Sequence, residues 1–115
     1  MSYCIYFVKE LDIKGLEQYI DKYIRIDDVK NNKVYIDIGE EIRHTYSGCE
    51  VVKKIIGITP QSFNNMKTDK VLELTNKCLD GFGNKLNFPE MSWKVFLEKI
   101  RDNCIKYPDV IVKVG

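Results

Sequence analysis

The sequence has little with which to hold a metal. It carries one histidine, His44, and its four cysteines, Cys4, Cys49, Cys78 and Cys104, are scattered with no close-spaced pair. Zinc sites draw on closely spaced Cys and His ligands. A structural zinc site is therefore not expected, no cofactor is implied, and the thiols read as reduced, buried core residues. Long hydrophobic runs are also missing, since no stretch approaches the roughly 20 apolar residues that span a bilayer. The apolar start, residues 1–8, is short and ends at Lys9 and Glu10. It lacks the basic start and small-residue cleavage site of a secretory signal. A cytoplasmic protein without membrane attachment is expected. An excess of charge is lacking too. The formal net charge is +1 over 115 residues, whereas a dedicated nucleic-acid binder carries a clear basic surplus. No repeat, low-complexity tract or linker appears, which leaves one domain over residues 1–115. A hydrophobic content of 44% with balanced charge places the chain among folded proteins.

What is present is a legible run of elements. Tyr3, Ile5, Tyr6, Phe7 and Val8 predict a strand over residues 2–8. Ile13, Leu16, Ile20, Tyr23 and Ile24 follow helical spacing and predict a helix over residues 13–24. Val34, Ile36 and Ile38 alternate with Tyr35 and Asp37, a half-buried strand that pairs with residues 24–29 through an Asn31-Asn32 turn and stops at Gly39. Ser47-Gly48-Cys49-Glu50 has the spacing of a capping box, with Val51, Val52, Ile55 and Ile56 on the helix behind it and Gly57 at its end. Thr59-Pro60 opens a short helix to about residue 66. Thr68 or Asp69 opens the next, with Val71, Leu72, Thr75, Cys78 and Leu79 on one face and Gly81 closing it. Ser92 caps a last helix over residues 92–105, carrying Trp93, Phe96, Leu97, Ile100 and Cys104. Pro108 bars its continuation, and Asp109 to Val114 forms a final strand. The expected class is α+β: a three- to four-stranded sheet, built from strands near both termini and a central hairpin, covered by four to five helices.

Few residues stand out chemically. Cys49 is expected in the first turn of a helix, where the helix dipole favours a thiolate, and His44 lies five residues earlier. A small enzyme or redox protein would rest on that pair. Gly81-Phe82-Gly83 follows a helix rather than a strand and lacks a third glycine, so it is not a phosphate loop. Residues 49–66 resemble a helix-turn-helix, with Val52, Ile56, Ile58, Phe63 and Met66 as its apolar contacts. A DNA-binding regulator would read bases with Thr59, Gln61, Ser62, Asn64 and Lys67. Against it, Lys53 sits where the helices would cross, and the reading helix holds one base and no arginine. The charge pattern offers more. Residues 27–41 carry Asp27, Asp28, Asp37, Glu40 and Glu41 against Lys30 and Lys33, a local charge of −3, in a chain whose remainder after residue 41 is +4. Tyr35 and Tyr46 flank this segment, and tyrosine beside acidic groups suits an interface with a basic partner.

In overall style, small, single-domain and without a catalytic motif, the chain resembles the immunity proteins of bacterial toxin systems, including those of contact-dependent growth inhibition. The resemblance implies a non-catalytic protein that binds one cognate toxin, often a nuclease. The partner-binding residues would then be Asp27, Asp28, Tyr35, Asp37, Glu40, Glu41 and Tyr46. The near-neutral total departs from the acidity usual in an inhibitor of a nuclease.

Overall fold

The computed structural model describes residues 1–12, 24–25 and 33–115. Of the helix expected over residues 13–24, residues 13–23 lie outside the described residues, as does the hairpin turn with Asp27 and Asp28, while Ile24 belongs to a strand. The order of elements is β1 (Ser2–Asp12), β2 (Ile24–Arg25), β3 (Lys33–Thr45), α1 (Glu50–Ile56), a 3-10 turn (Pro60–Phe63), α2 (Thr68–Asp80), α3 (Phe88–Lys106) and β4 (Ile111–Val114). The class is α+β, and the sheet is antiparallel throughout, ordered β2-β3-β1-β4. The two-residue β2 pairs antiparallel with Tyr35 and Ile36 of β3. Three α-helices are found among the described residues, against the four to five helices expected. None is long and apolar enough to cross a membrane.

Alternation explains the core. Tyr3, Ile5 and Phe7 of β1 are buried between half-buried Ser2, Cys4 and Tyr6, and Val112 and Val114 continue the same inner face from β4. The helices supply the other half: Val52 from α1, Val71 and Cys78 from α2, and Trp93, Phe96, Leu97, Ile100 and Cys104 from α3. Phe7 and its neighbour Val8 are both buried, so at that point the two faces of β1 are both covered.

Strand β3 does not stop at Gly39. Ile5 faces Ile42 while Phe7 faces Ile38, so Tyr6 alone stands against Gly39, Glu40 and Glu41. This is a bulge with two extra residues, which keeps the inward and outward sets of β3 in phase on either side. Gly39 makes it possible twice over. Its φ is +76°, and a Cβ there would fall 2.6 Å from the Tyr107 ring.

The expected capping box at Ser47 does not form. The residue before α1 is Cys49, with helical dihedrals and no side-chain cap. The reason is Trp93. Its buried indole needs an acceptor, and Nε1 donates to the Ser47 carbonyl at 2.8 Å. Gly48, with φ +84°, is drawn so close beneath the ring that a Cβ would meet Nε1 at 2.9 Å. The true box opens α3 at Asn87, five residues ahead of Ser92. Asn87 Oδ1 accepts from the Glu90 N–H at 2.9 Å, and Glu90 Oε1 accepts from the Asn87 N–H at 3.4 Å. Ser92 is therefore inside the helix. The helix expected from Thr59 is a single 3-10 turn whose Pro60 and Phe63 are buried. A helix-turn-helix lacks its second helix here, and residues 59–67 cannot be laid in a groove as one. Gly57 ends α1 at φ +78° as expected, its N–H bonded to the Lys53 carbonyl at 2.8 Å.

Candidate functional site

Beyond its pair with β2, strand β3 is an edge. Among the described residues no strand pairs with residues 37–45 on the side away from β1. The direction of its backbone groups follows from β1. Cys4 donates to the Gly115 carbonyl at 3.2 Å and accepts from the Gly115 N–H at 2.9 Å, so both of its main-chain groups point toward β4. Its partner across the other side, Arg43, is thus in a non-hydrogen-bonded pair. The N–H and C=O of Arg43 face away from the sheet, and so do those of Thr45. The Tyr46 N–H, one residue further, turns back to the Met1 carbonyl at 3.3 Å, in keeping with the alternation.

The inward side chain between them, His44, is held from several directions. Its ring lies 4.3 Å from that of Trp93 and 5.0 Å from that of Phe96, centre to centre. Nδ1 is 2.9 Å from the Thr45 carbonyl and Nε2 is 2.8 Å from Ser92 Oγ. A carbonyl only accepts, so Nδ1 carries the hydrogen, and in the neutral ring Nε2 accepts from the Ser92 hydroxyl. A hydroxyl, a base and an orienting acceptor are thus in line, as nucleophilic catalysis would need. Ser92 is the fifth residue of α3, however, so its own N–H is used in the helix ladder and cannot stabilise an oxyanion. The chain of bonds fixes the ring between strand and helix.

Alongside the edge runs the outer face of α3. Phe88, Met91 and Val95 follow one another at helical spacing and are 84%, 55% and 53% exposed. Together with Arg43, His44, Ser92, Phe96 and Lys99 they line an open cleft of about 390 Å³. A second cleft of about 460 Å³ continues it, lined by Glu40, Glu41, Ile42 and Arg43 from β3 and by Lys99, Asp102, Asn103 and Lys106 from α3. Arg43 and Lys99 belong to both clefts, so the two form one groove between strand edge and helix, apolar at one end and charged at the other. Glu41 pairs with Arg43, and that bond holds the guanidinium pKa above its ordinary value. Asp102 pairs with Arg101 at 3.1 Å. Lys99 has no carboxylate partner among the described residues.

The residues expected at an interface are divided by the fold. Glu40 and Glu41 line the charged end of the groove. Tyr35 and Asp37 lie on the outer face of the sheet, where the Lys113 ammonium sits 4.9 Å above the Tyr35 ring. Tyr46 packs against Tyr3 at 4.4 Å, at the end of the sheet. The acidic segment is therefore not one surface. The apolar residues Phe88, Met91 and Val95 were not among those expected. Their signal is present in the sequence as Asn87-Phe88-Pro89-Glu90, which starts α3 early enough to give them a common face.

Cys49 does not meet His44, whose two nitrogens are engaged with Ser92 and Thr45. Its neighbour is the Tyr3 hydroxyl. Burial raises the Tyr3 pKa, a hydrogen bond with Thr59 opposes the rise, and one with Cys49 adds to it. The thiols of Cys78 and Cys104 are buried, which lifts their pKa to about 11 and about 12.

No family model, curated protein or solved structure matches this chain.

Proposed function

We propose that this chain is a non-catalytic, protein-binding protein, and that it acts as an immunity protein that binds and neutralises a cognate bacterial toxin. The observation that carries the reading is the row Phe88, Met91 and Val95, exposed together beside a strand edge at residues 42–45 that no described strand pairs with. A group of large apolar side chains left in water is costly unless something covers it, and on soluble proteins such groups mark interaction surfaces. Charged residues bound the row at one end, Glu40, Glu41, Arg43 and Lys99, which is the apolar-centre, polar-rim anatomy of a protein interface. Because that rim carries both signs, the toxin need not be strongly cationic, and nuclease activity is one option among several for it.

The test is to produce the polypeptide encoded immediately upstream, with and without this chain. Growth arrest by that polypeptide alone, relieved when the chain is co-expressed, together with a 1:1 complex on gel filtration, is the expected result. Arrest that persists despite soluble, folded chain, with no complex formed, overturns the reading.

A further inference from the structure

Resting on the protein-binding reading above, we infer that the partner is recognised by strand addition: an extended segment of it lies antiparallel along β3 and completes the sheet at residues 42–45. The edge is built for this. Arg43 presents both an N–H and a C=O outward, Thr45 presents its N–H, and the Thr45 carbonyl is already met by His44 Nδ1. Exposed strand edges are used in this way for peptide recognition, the main chain giving affinity and alternate side chains giving specificity.

The register then defines the guest. Its residue opposite Arg43 exchanges the main-chain bonds and points its side chain to the outer face. The residue before it, opposite His44, points inward, into the cleft of Phe88, Met91 and Val95, and is apolar. The residue after it, opposite Ile42, also points inward, toward Lys99 at the junction of the two clefts. Since Lys99 has no acidic partner among the described residues, that position takes a carboxylate. Reading from the amino end, the recognised segment is apolar, any residue, acidic. A second copy of this chain does not meet these needs. The inward side chains of its own β3, Ile42 and His44, are committed to their own core, so β3 pairing with β3 would place neither in the groove.

The probe is the blocked peptide acetyl-Thr-Val-Thr-Leu-Thr-Glu-Thr-Val-amide, titrated to millimolar concentration into the isotopically labelled full chain and followed by amide NMR. The expected result is shifts centred on Ile42 to Thr45, Met91 and Lys99, with slowed exchange of the Arg43 and Thr45 amides. Moving the glutamate one place along, so that it faces outward, weakens binding about tenfold. Thr45→Pro removes an outward N–H without touching the ladder to β1, a position where an edge strand tolerates proline. It keeps the core resonances and weakens the peptide roughly tenfold, the worth of about one hydrogen bond. Lys99→Glu reverses the preference to a peptide with lysine in place of glutamate, and this rescue does not depend on Thr45→Pro folding. Absence of these shifts at millimolar peptide, or shifts confined to another surface, overturns the inference. A toxin complex in which the Arg43 and Thr45 amides stay unprotected overturns it as well, while leaving the immunity reading intact. Peptide binding at the edge without relief of growth arrest supports strand addition and removes the immunity reading.

Discussion

Phe88 and Phe96 stand on one helix, eight residues apart, and meet opposite fates. Phe96 is 2% exposed and packs edge-on against Trp93, while Phe88 is 84% exposed and touches the groove. The two faces of α3 are built from similar side chains, Trp93, Phe96, Leu97 and Ile100 on one and Phe88, Met91 and Val95 on the other. Only the first is covered by the sheet and by α2. The comparison separates two uses of apolar surface. The buried face lowers the free energy of the folded chain by removing area from water. The exposed face leaves that gain to be collected when a partner arrives.

Truncation on each face should separate the two most widely. Trp93→Ala should cost about 3–5 kcal/mol, since it empties a fully buried site and strands the Ser47 carbonyl. Urea unfolding should show the midpoint collapse or the chain fail to fold. Phe88→Ala should stay within about 0.5 kcal/mol of the parent, and an equal loss from both substitutions would show that the exposed face is structural.

Next in size is the bulge that sets the edge of β3 beside α3. Gly39→Ala is strained at φ +76° and presses on the Tyr107 ring. A loss of about 1–3 kcal/mol is expected, with Tyr107→Leu recovering only the steric part. A neutral Gly39→Ala would mean that the bulge does not place the groove.

Asn87→Ala removes the capping box that begins the exposed face. It should cost about 1 kcal/mol and loosen the first turn, read as faster amide exchange at Phe88 to Met91 with the Trp93 region unchanged.

The buried thiols give a pH test of the covered face alone. Their folded-state pKa is raised, so their contribution is complete below the ordinary thiol value of about 8.5. It is lost as pH rises toward about 11 for Cys78 and about 12 for Cys104. Stability should therefore fall on the alkaline side, and Cys104→Ala, though less stable at neutral pH, should show a shallower fall. Alkylation at neutral pH should reach Cys4 and Cys49 before Cys78 and Cys104; the reverse order would contradict the burial of the latter pair.

Smallest is Thr75, buried on the inner face of α2 with no hydrogen-bond partner for its hydroxyl among the described residues. Thr75→Val should be neutral or stabilising by up to about 1 kcal/mol. A clear loss would show that the hydroxyl has a partner.

Much of the fold was legible because it is local. Runs of β-branched and aromatic residues mark β1 and β4, alternation marks the first half of β3, and helical spacing marks α1 and α2 and picks the buried face of α3 residue by residue. The errors fall where a distant side chain overrules a local pattern. Ser47-Gly48-Cys49-Glu50 has the right spacing for a capping box, yet the indole of Trp93, 46 residues away, takes the Ser47 carbonyl. Gly39 reads as a strand terminator, yet it sits in a bulge beneath the Tyr107 ring and β3 runs on to Thr45. The site was less legible for the same reason. Glu40 and Glu41 were visible as charges and do line the groove, whereas Tyr35 and Asp37, equally conspicuous, belong to the other face. A start of α3 at Ser92 leaves Phe88 and Met91 outside the helix, whereas the asparagine-to-glutamate box at residues 87–90 places them with Val95 on one face.

Calorimetric titration of the upstream-encoded polypeptide into the parent chain and into Met91→Asp tests whether the exposed row on α3 binds the partner. The proposed function makes the exposed face of α3 the binding face. Affinity should then fall about a hundredfold or more, as when a charge replaces a central apolar contact, while the urea midpoint stays within error. Equal affinity for the two proteins would contradict it.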